Sequence, residues 1–168
     1  GEGGEPLSKR LESVSVREFR RRGYLPHALA NCIALLGWSP GDNREIFTWE
    51  ELQKTFDLSH VNRHASLYDP HKLDWVNGEH LRALTDEEFS RSALAYLKEQ
   101  GKLRVDETLV HRMLPIFKDN IVRFEDLEER LEILDENFMY QDRNSVTSAG
   151  AKEIFKAALS VLNQSVGA

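Results

Sequence analysis

A serine and a lysine near the start of the chain are the residues best suited to chemistry. Ser8 and Lys9 lie in the string Leu7-Ser8-Lys9-Arg10, which follows a stretch that is rich in glycine and contains Pro6. A lysine in such a loop can place its ammonium group against a polyphosphate and neutralise the charge that develops during displacement. The string therefore indicates a loop for phosphoryl or nucleotidyl transfer, although four residues alone identify no family.

A run of cations extends this basic segment. Six cations lie within 14 positions, and an anion would bind the chain there. The alternative interpretation is a solvated face of a short helix, because most charge runs are exposed in this way. The six residues are Lys9, Arg10, Arg17, Arg20, Arg21 and Arg22.

Other catalytic patterns are not supported by the sequence. His60 and His64 have the spacing of two ligands on one helix face, but the residues between them form a poor helix interior, so we expect no metal site. Cys32 lies within an apolar segment and is expected in the core rather than as a nucleophile. The sequence contains neither a nucleophile elbow nor a glycine-rich phosphate loop of known pattern.

Length and charge restrict the class of protein. The chain has 168 residues, of which 40% are hydrophobic, enough for one core or two small helical units, and this length predicts a domain or a fragment. The net charge is −6, which argues against a general nucleic-acid coat. Residues 85–142 carry 8 basic and 15 acidic residues, whereas residues 1–84 carry 11 and 12. One cysteine fits a reducing compartment, and no apolar run approaches the roughly 20 residues of a membrane span.

Helical signals occur almost throughout the chain and predict an all-α fold of two helical subdomains joined near residue 85. Capping-box spacings at Ser15, Thr48 and Thr85 predict three helix starts. A helix from Pro26 to Gly37 is expected to be the most buried. Further helices are expected from Asp69 to Asn77-Gly78, from Thr85 to Gly101, and over about 107–117, 124–134 and 148–162.

Three tryptophans could stack on bases, but each lies in an apolar segment, so we expect core positions for them. They are Trp38, Trp49 and Trp75.

An ordered series of motifs follows the basic loop. The series closely resembles bacterial-type glutamyl-tRNA synthetase, a class I aminoacyl-tRNA synthetase. The similarity is dense from Leu7 to about Arg82, and beyond residue 85 it depends mainly on helical pattern and length. The motifs are Ser15-Val16-Arg17-Glu18-Phe19-Arg20, Gly23-Tyr24-Leu25-Pro26-His27-Ala28-Leu29, Ala34-Leu35-Leu36-Gly37-Trp38-Ser39, Glu45-Ile46-Phe47, Phe56-Asp57-Leu58, Tyr68-Asp69-Pro70-His71-Lys72-Leu73, Asp74-Trp75-Val76-Asn77-Gly78 and Leu81-Arg82.

The resemblance implies a role for the first loop. Ser8, Lys9 and Arg10 match the family's form of the class I KMSKS loop, which binds ATP phosphates, with Mg²⁺, during amino-acid adenylation. Lys9 takes the position of the lysine that stabilises the transition state. Pro6 replaces the family's first lysine, which removes one potential phosphate contact. Leu11-Glu12 replaces the usual His-Gly and leaves the details of loop closure undetermined.

The resemblance also implies a domain order. Residues 1–14 correspond to the signature loop, 15–84 to the stem-contact subdomain, and 85–168 to an anticodon-binding helical subdomain whose C-terminal end is incomplete. The H-x-G-H motif and the Rossmann catalytic domain of the family are not in this sequence. We therefore expect the intact parent protein to be a glutamate–tRNA ligase and the isolated chain to be inactive, with no bound cofactor.

In the family, the stem-contact region lies along tRNA. The implied partners are therefore tRNA(Glu), glutamate and ATP. The implied protein is a cytoplasmic monomer that binds no membrane. The implied tRNA-binding residues are Arg17, Arg20, Arg21, Arg22 and Arg123, of which the first four are candidate phosphate contacts. Arg112, Lys118 and Arg123 are open alternatives as anticodon readers, and exposed ion pairing is the competing interpretation for each. A helical protein-interaction module derived from a synthetase is the alternative function, and an independent enzyme is disfavoured because no catalytic constellation is present.

Overall fold

The computed structural model describes residues 15–62, 68–103 and 106–131. All of them belong to the first of the two units into which the chain divides, residues 1–132. Three predicted features lie outside the described residues: the loop of Ser8, Lys9 and Arg10, the last three positions of the predicted helix over 124–134, and the predicted helix over 148–162.

Helices form most of the described chain, which confirms the all-α prediction. Among the described residues the one β-type contact is an isolated antiparallel bridge between Trp38 and Val61. Short 3₁₀ turns cover Leu58–His60 and Lys118–Asn120. The α-helices are α1 (Val16–Arg21), α2 (Pro26–Gly37), α3 (Trp49–Thr55), α4 (Pro70–Ala83), α5 (Asp86–Glu99), α6 (Glu107–Phe117) and α7 (Asp126–Leu131).

Helix caps form where the sequence predicts them. Thr48 and Thr85 each take part in a complete capping box, in which hydroxyl and carboxylate satisfy each other's backbone amides. Ser15 forms half of one: its hydroxyl accepts from the Glu18 amide, but the Glu18 carboxylate binds Arg21 instead. The ionic partner on the next turn of the helix therefore replaces the second half of the box.

The prediction that α2 is the most buried helix is wrong. Only Ala28, Asn31 and Cys32 of α2 are buried, and Ile33 is exposed. The helices α4 and α5 bury five and six residues, against three in α2. An apolar composition therefore does not predict how much of a helix is buried.

The predicted end of α4 at Asn77-Gly78 is also wrong, because α4 continues to Ala83. The Asn77 side chain is fully buried and accepts a hydrogen bond from the Leu25 amide at 2.8 Å. Its amide nitrogen donates to the Val122 carbonyl at 2.5 Å. Since both polar ends of Asn77 are bound by distant backbone, the side chain does not compete with the helix's own hydrogen bonds.

The turn between α1 and α2 is held by later parts of the chain. The amides of Phe124 and Glu125 donate to the carbonyls of Gly23 and Arg22 at 3.2 and 3.3 Å. The Tyr96 hydroxyl of α5 donates to the Arg21 carbonyl at 2.8 Å. With Asn77, these bonds join residues 21–25 to α4, α5 and the segment before α7. This interlock fixes the C-terminal end of α1, the helix that carries the predicted phosphate contacts.

Candidate nucleic-acid interface

One cation of the basic helix α1 has no partner within the part of the chain that the structure describes. Arg17 is exposed, and it has no hydrogen bond or ion pair among the described residues. It lies in the first turn of α1, two residues after Ser15, which begins the predicted stem-contact subdomain. An exposed guanidinium with free donors is the arrangement that a phosphate needs.

Two arginines of α1 are exposed but paired. Arg20 is 72% exposed, and its Nη2 lies 2.9 Å from Glu99 Oε1 at the end of α5. Arg21 is 62% exposed and donates twice to Glu18, from Nε at 2.9 Å and from Nη2 at 2.6 Å. The hydrogen bond from Arg21 lowers the pKa of Glu18 below its usual value. Exposed pairs of this kind contribute little to stability, so both arginines remain accessible to a competing anion.

Arg22 has a different environment from the other arginines of α1. Its Nε donates to Glu125 at 3.1 Å, and its guanidinium lies 5.5 Å from the centre of the Tyr24 ring. Burial disfavours its charge, but the hydrogen bond to Glu125 and the nearby Tyr24 outweigh this and raise the pKa of Arg22. Arg22 therefore contributes to the interlock more than to the exposed face.

Arg123 lies among carboxylates. Its side chain is only 20% exposed, and it lies 3.1 Å from Glu125, 3.4 Å from Asp126 and 3.8 Å from Asp74. Its Nε is buried without a hydrogen-bond partner among the described residues. Three acidic neighbours oppose the approach of a phosphate, and this environment favours an internal role, although its assignment as a tRNA contact stays a prediction.

A tyrosine completes the same network. The Tyr24 hydroxyl hydrogen-bonds to Asp74, and Tyr24 packs edge-on against Phe19 with ring centroids 5.5 Å apart. Burial and the bond to Asp74 raise the pKa of Tyr24 above its usual value, so it is a neutral donor at physiological pH. Sequence reasoning did not identify this contact because 50 residues separate the two partners.

Lys118, an alternative anticodon reader, is bound at the start of α5. Its Nζ lies 2.9 Å from the Leu84 carbonyl and 2.7 Å from Asp86. These contacts match the competing interpretation, in which Lys118 forms an ion pair.

The tryptophan prediction is right for one residue and wrong for two. Trp38 is buried and packs against Phe47, with ring centroids 5.5 Å apart. Trp49 and Trp75 are exposed, and Trp49 stacks on His27 at 5.7 Å between ring centroids. Both exposed tryptophans lie on helix faces that no other element covers fully, which local apolar content does not reveal.

The cysteine lies in the core, as predicted. Cys32 is buried with Phe19, Tyr24 and Leu73 between α1, α2 and α4. Burial raises the pKa of its thiol, with Asp69 adding to the effect and Lys72 opposing it. A buried neutral thiol is a poor nucleophile.

We expect Cys32 in the native chain to react with a thiol reagent about 5,000-fold more slowly than in denaturant, because reaction needs an opening that costs on the order of 5 kcal/mol. Ellman's reagent measures both rates, and the single cysteine assigns the whole signal. Rapid stoichiometric reaction of the native chain would instead identify an accessible thiolate.

Other kinds of site are not found in the described parts of the chain. Within residues 15–62, 68–103 and 106–131, no three His, Cys, Asp or Glu side chains converge as metal ligands would. In the same stretches, every helix is too short or too polar to span a lipid bilayer. His64 lies outside the described residues.

Comparison with known proteins identifies the family. Residues 1–75 match the family model described as "tRNA synthetases class I (E and Q), catalytic domain". The glutamate–tRNA ligase of Finegoldia magna is 34% identical over 141 residues, which are 83% of this chain and 29% of that protein. The glutamate–tRNA ligase of Clostridium novyi is 48% identical over 93 residues, 55% of this chain and 19% of that protein. The crystal structure of a glutamate tRNA ligase from Elizabethkingia meningosepticum matches with a TM-score of 0.65 and 26% identity, covering 83% of this chain and 32% of that one.

These similarities define a class I aminoacyl-tRNA synthetase chain. Within that class, the chain belongs to the glutamate–tRNA ligase family, which confirms the resemblance seen in its motifs. It spans 29% of the length of the Finegoldia magna relative and 19% of that from Clostridium novyi.

Proposed function

We propose that this chain is the tRNA-binding C-terminal portion of a glutamate–tRNA ligase, beginning at its KMSKS-type loop. The whole protein attaches glutamate to tRNA(Glu) through an ATP-dependent glutamyl-adenylate. The observation that supports this most is the similarity to glutamate–tRNA ligases over 83% of the chain. The match of residues 1–75 to a catalytic-domain model supports the placement of the first loop in that enzyme.

The ATP contacts belong to the first loop. Ser8, Lys9 and Arg10 bind the phosphates of ATP, which carries Mg²⁺ in this chemistry, and Lys9 meets the charge that develops at the α-phosphate. The chain by itself does not form the adenylate and holds no cofactor, because the remainder of the nucleotide site belongs to other parts of the enzyme. The whole enzyme acts as a cytoplasmic monomer.

The domain order follows the family. Residues 1–14 form the signature loop, 15–84 the stem-contact subdomain, and 85–168 part of the anticodon-binding subdomain. The interlock of residues 21–25 with Val122, Phe124 and Glu125 supports a close association between the second and third of these parts.

The tRNA backbone binds along α1. Arg17 offers a free guanidinium, and Arg20 and Arg21 offer exposed ones whose carboxylate partners a phosphate can replace. Arg22 and Arg123 assist indirectly by holding the end of α1 in place. Contacts of this kind position tRNA without reading its sequence.

We expect neutralisation of the exposed cations of α1 to weaken RNA binding. The double variant Arg17→Gln/Arg20→Gln should bind a tRNA(Glu) transcript about tenfold less tightly at low ionic strength. The dependence of log affinity on log salt should fall by roughly 0.9 for each phosphate contact that is lost. Fluorescence anisotropy over a salt series measures both quantities.

The matched control removes two exposed cations from other helices. Lys54→Gln/Arg91→Gln changes the net charge equally, on α3 and α5, and should change affinity far less. If the two double variants bind tRNA with equal affinity, the proposal that tRNA binds along α1 is wrong. If the unmodified chain binds no tRNA at any salt concentration, autonomous RNA binding is wrong.

A further inference from the structure

The end of α5 places a carboxylate against the proposed RNA face. We propose that Glu99 competes with tRNA phosphate for Arg20, so that phosphate binds by displacing Glu99 and the resting affinity is held below what the cations of α1 allow. This inference rests on the proposed function and adds a regulatory residue to it.

The geometry of the pair leaves Arg20 open to a second anion. Both oxygens of Glu99 approach the same guanidinium nitrogen, Nη2, at 2.9 and 3.1 Å. The Nε and Nη1 donors of Arg20 have no partner among the described residues. A phosphate can therefore bind one of these free donors first and then take over Nη2, without passing through an unpaired state.

The Arg21 pair has a different geometry. Its two donors, Nε and Nη2, each bind a different oxygen of Glu18, so the carboxylate occupies one whole side of the guanidinium. Glu18 also lies on the same helix and moves with Arg21. Glu99 comes from α5, 79 residues away, so the Arg20 pair is the more readily exchanged.

The position of Glu99 in its own helix does not explain its presence. It is the last residue of α5, where the partial negative charge of the helix end repels a carboxylate. Lys98, in the same turn, has the sign that the helix end favours. The positive charge of Arg20 compensates the negative charge of Glu99. When a phosphate binds Arg20 in its place, Glu99 loses this partner.

The competition has a measurable consequence. In the resting chain, part of the cationic field of α1 is cancelled by Glu99, and tRNA must displace it. Replacement of Glu99 by glutamine keeps the size of the side chain and removes the competing charge. The variant should bind tRNA more tightly, and its salt dependence should be steeper, because no freed carboxylate takes up a cation when Arg20 neutralises a phosphate and the RNA releases its counterions.

The test compares two charge-neutralising variants of the whole chain. Glu99→Gln should bind a tRNA(Glu) transcript about threefold more tightly than the unmodified chain, with a salt slope steeper by up to roughly 0.9. Glu107→Gln is the control, because it removes the same charge from a different ion pair, that of Glu107 with Lys98. The Glu107 side chain is 51% exposed and the Glu99 side chain is 50% exposed, so the two carboxylates are matched in exposure. Fluorescence anisotropy measures affinity, and circular dichroism checks that each variant is folded.

A second comparison isolates the pair itself. In an Arg20→Gln background, Glu99→Gln should increase the affinity for tRNA by no more than Glu107→Gln does. Equal tightening by Glu99→Gln and Glu107→Gln in the unmodified background would overturn this inference while leaving the proposed function intact. Loss of salt-sensitive binding in every variant and in the unmodified chain would overturn the proposed function, and the inference with it.

Discussion

Replacement of Gly23 by alanine is expected to lower the free energy of unfolding by about 3 kcal/mol or more. Gly23 has a φ of +79°, which costs an L-residue roughly 1–2 kcal/mol. A Cβ at this position would lie 2.6 Å from the Phe124 Cβ and 2.8 Å from its backbone nitrogen. Relief of that overlap would break the hydrogen bond from the Phe124 amide to Gly23, and overpacking adds about 1–3 kcal/mol.

Gly101 provides the matched control, because it shares the left-handed backbone without the close neighbour. Its φ is +65°, and no atom lies within 4 Å of a Cβ built there. Gly101→Ala should therefore cost only about 1 kcal/mol. Urea denaturation followed by circular dichroism measures the free energy of unfolding of both variants. Equal decreases would show that the contact with Phe124 does not add to the cost of the Gly23 substitution.

Replacement of Lys9 by alanine in the proposed full-length ligase is expected to slow glutamyl-adenylate formation by about 10²–10³-fold. An ammonium that meets charge in the transition state acts selectively there, so its loss lowers the rate more than it weakens substrate binding. The affinity for tRNA should change by less than about twofold, because the proposed partner of Lys9 is ATP and no tRNA phosphate contact is lost. Pyrophosphate exchange measures the rate, and anisotropy measures the affinity.

Lys54→Ala is the control for this change. Lys54 is an exposed lysine at the end of α3, without an ion pair among the described residues. Its removal should leave both measurements unchanged. A normal exchange rate in the Lys9→Ala enzyme would remove the catalytic assignment of Lys9, whatever the control shows.

The sequence predicted the local features of the fold well. The starts of α3 and α5 follow from the boxes at Thr48 and Thr85, whose partners lie three residues away. The bounds of α2 follow from Pro26 at its first position and Gly37 at its last. Each of these features depends on a few neighbouring residues, so it can be predicted from a short stretch of sequence.

Features that depend on distant residues could not be predicted. Asn77-Gly78 is typical of a turn, but α4 continues through it because Leu25 and Val122 bind the Asn77 side chain. Trp49 and Trp75 lie in apolar segments, yet the faces on which they lie are exposed. Burial depends on which faces meet, and no short stretch of sequence contains that information.

In the candidate site, too, local contacts could be predicted from the sequence and distant ones could not. The pairing of Arg21 with Glu18 could be predicted, since residues three apart on a helix are neighbours. The pairing of Arg20 with Glu99 and of Arg22 with Glu125 could not, because 79 and 103 residues separate the partners. Charge counting therefore identified the basic helix but not which of its cations are available.

The interlock also sets an order of events during synthesis. Phe19 and Tyr24 pack against Cys32 and Leu73, all within the first half of the chain, so this packing can form early on the ribosome. The backbone bonds of Arg22 and Gly23 need Glu125 and Phe124. At roughly 5–20 residues per second, these partners are synthesised about 3–10 seconds after Leu73. Until then, the nascent turn after α1 has carbonyls that only water can satisfy, and the helix acquires its final anchor as one of the last steps of folding in this unit.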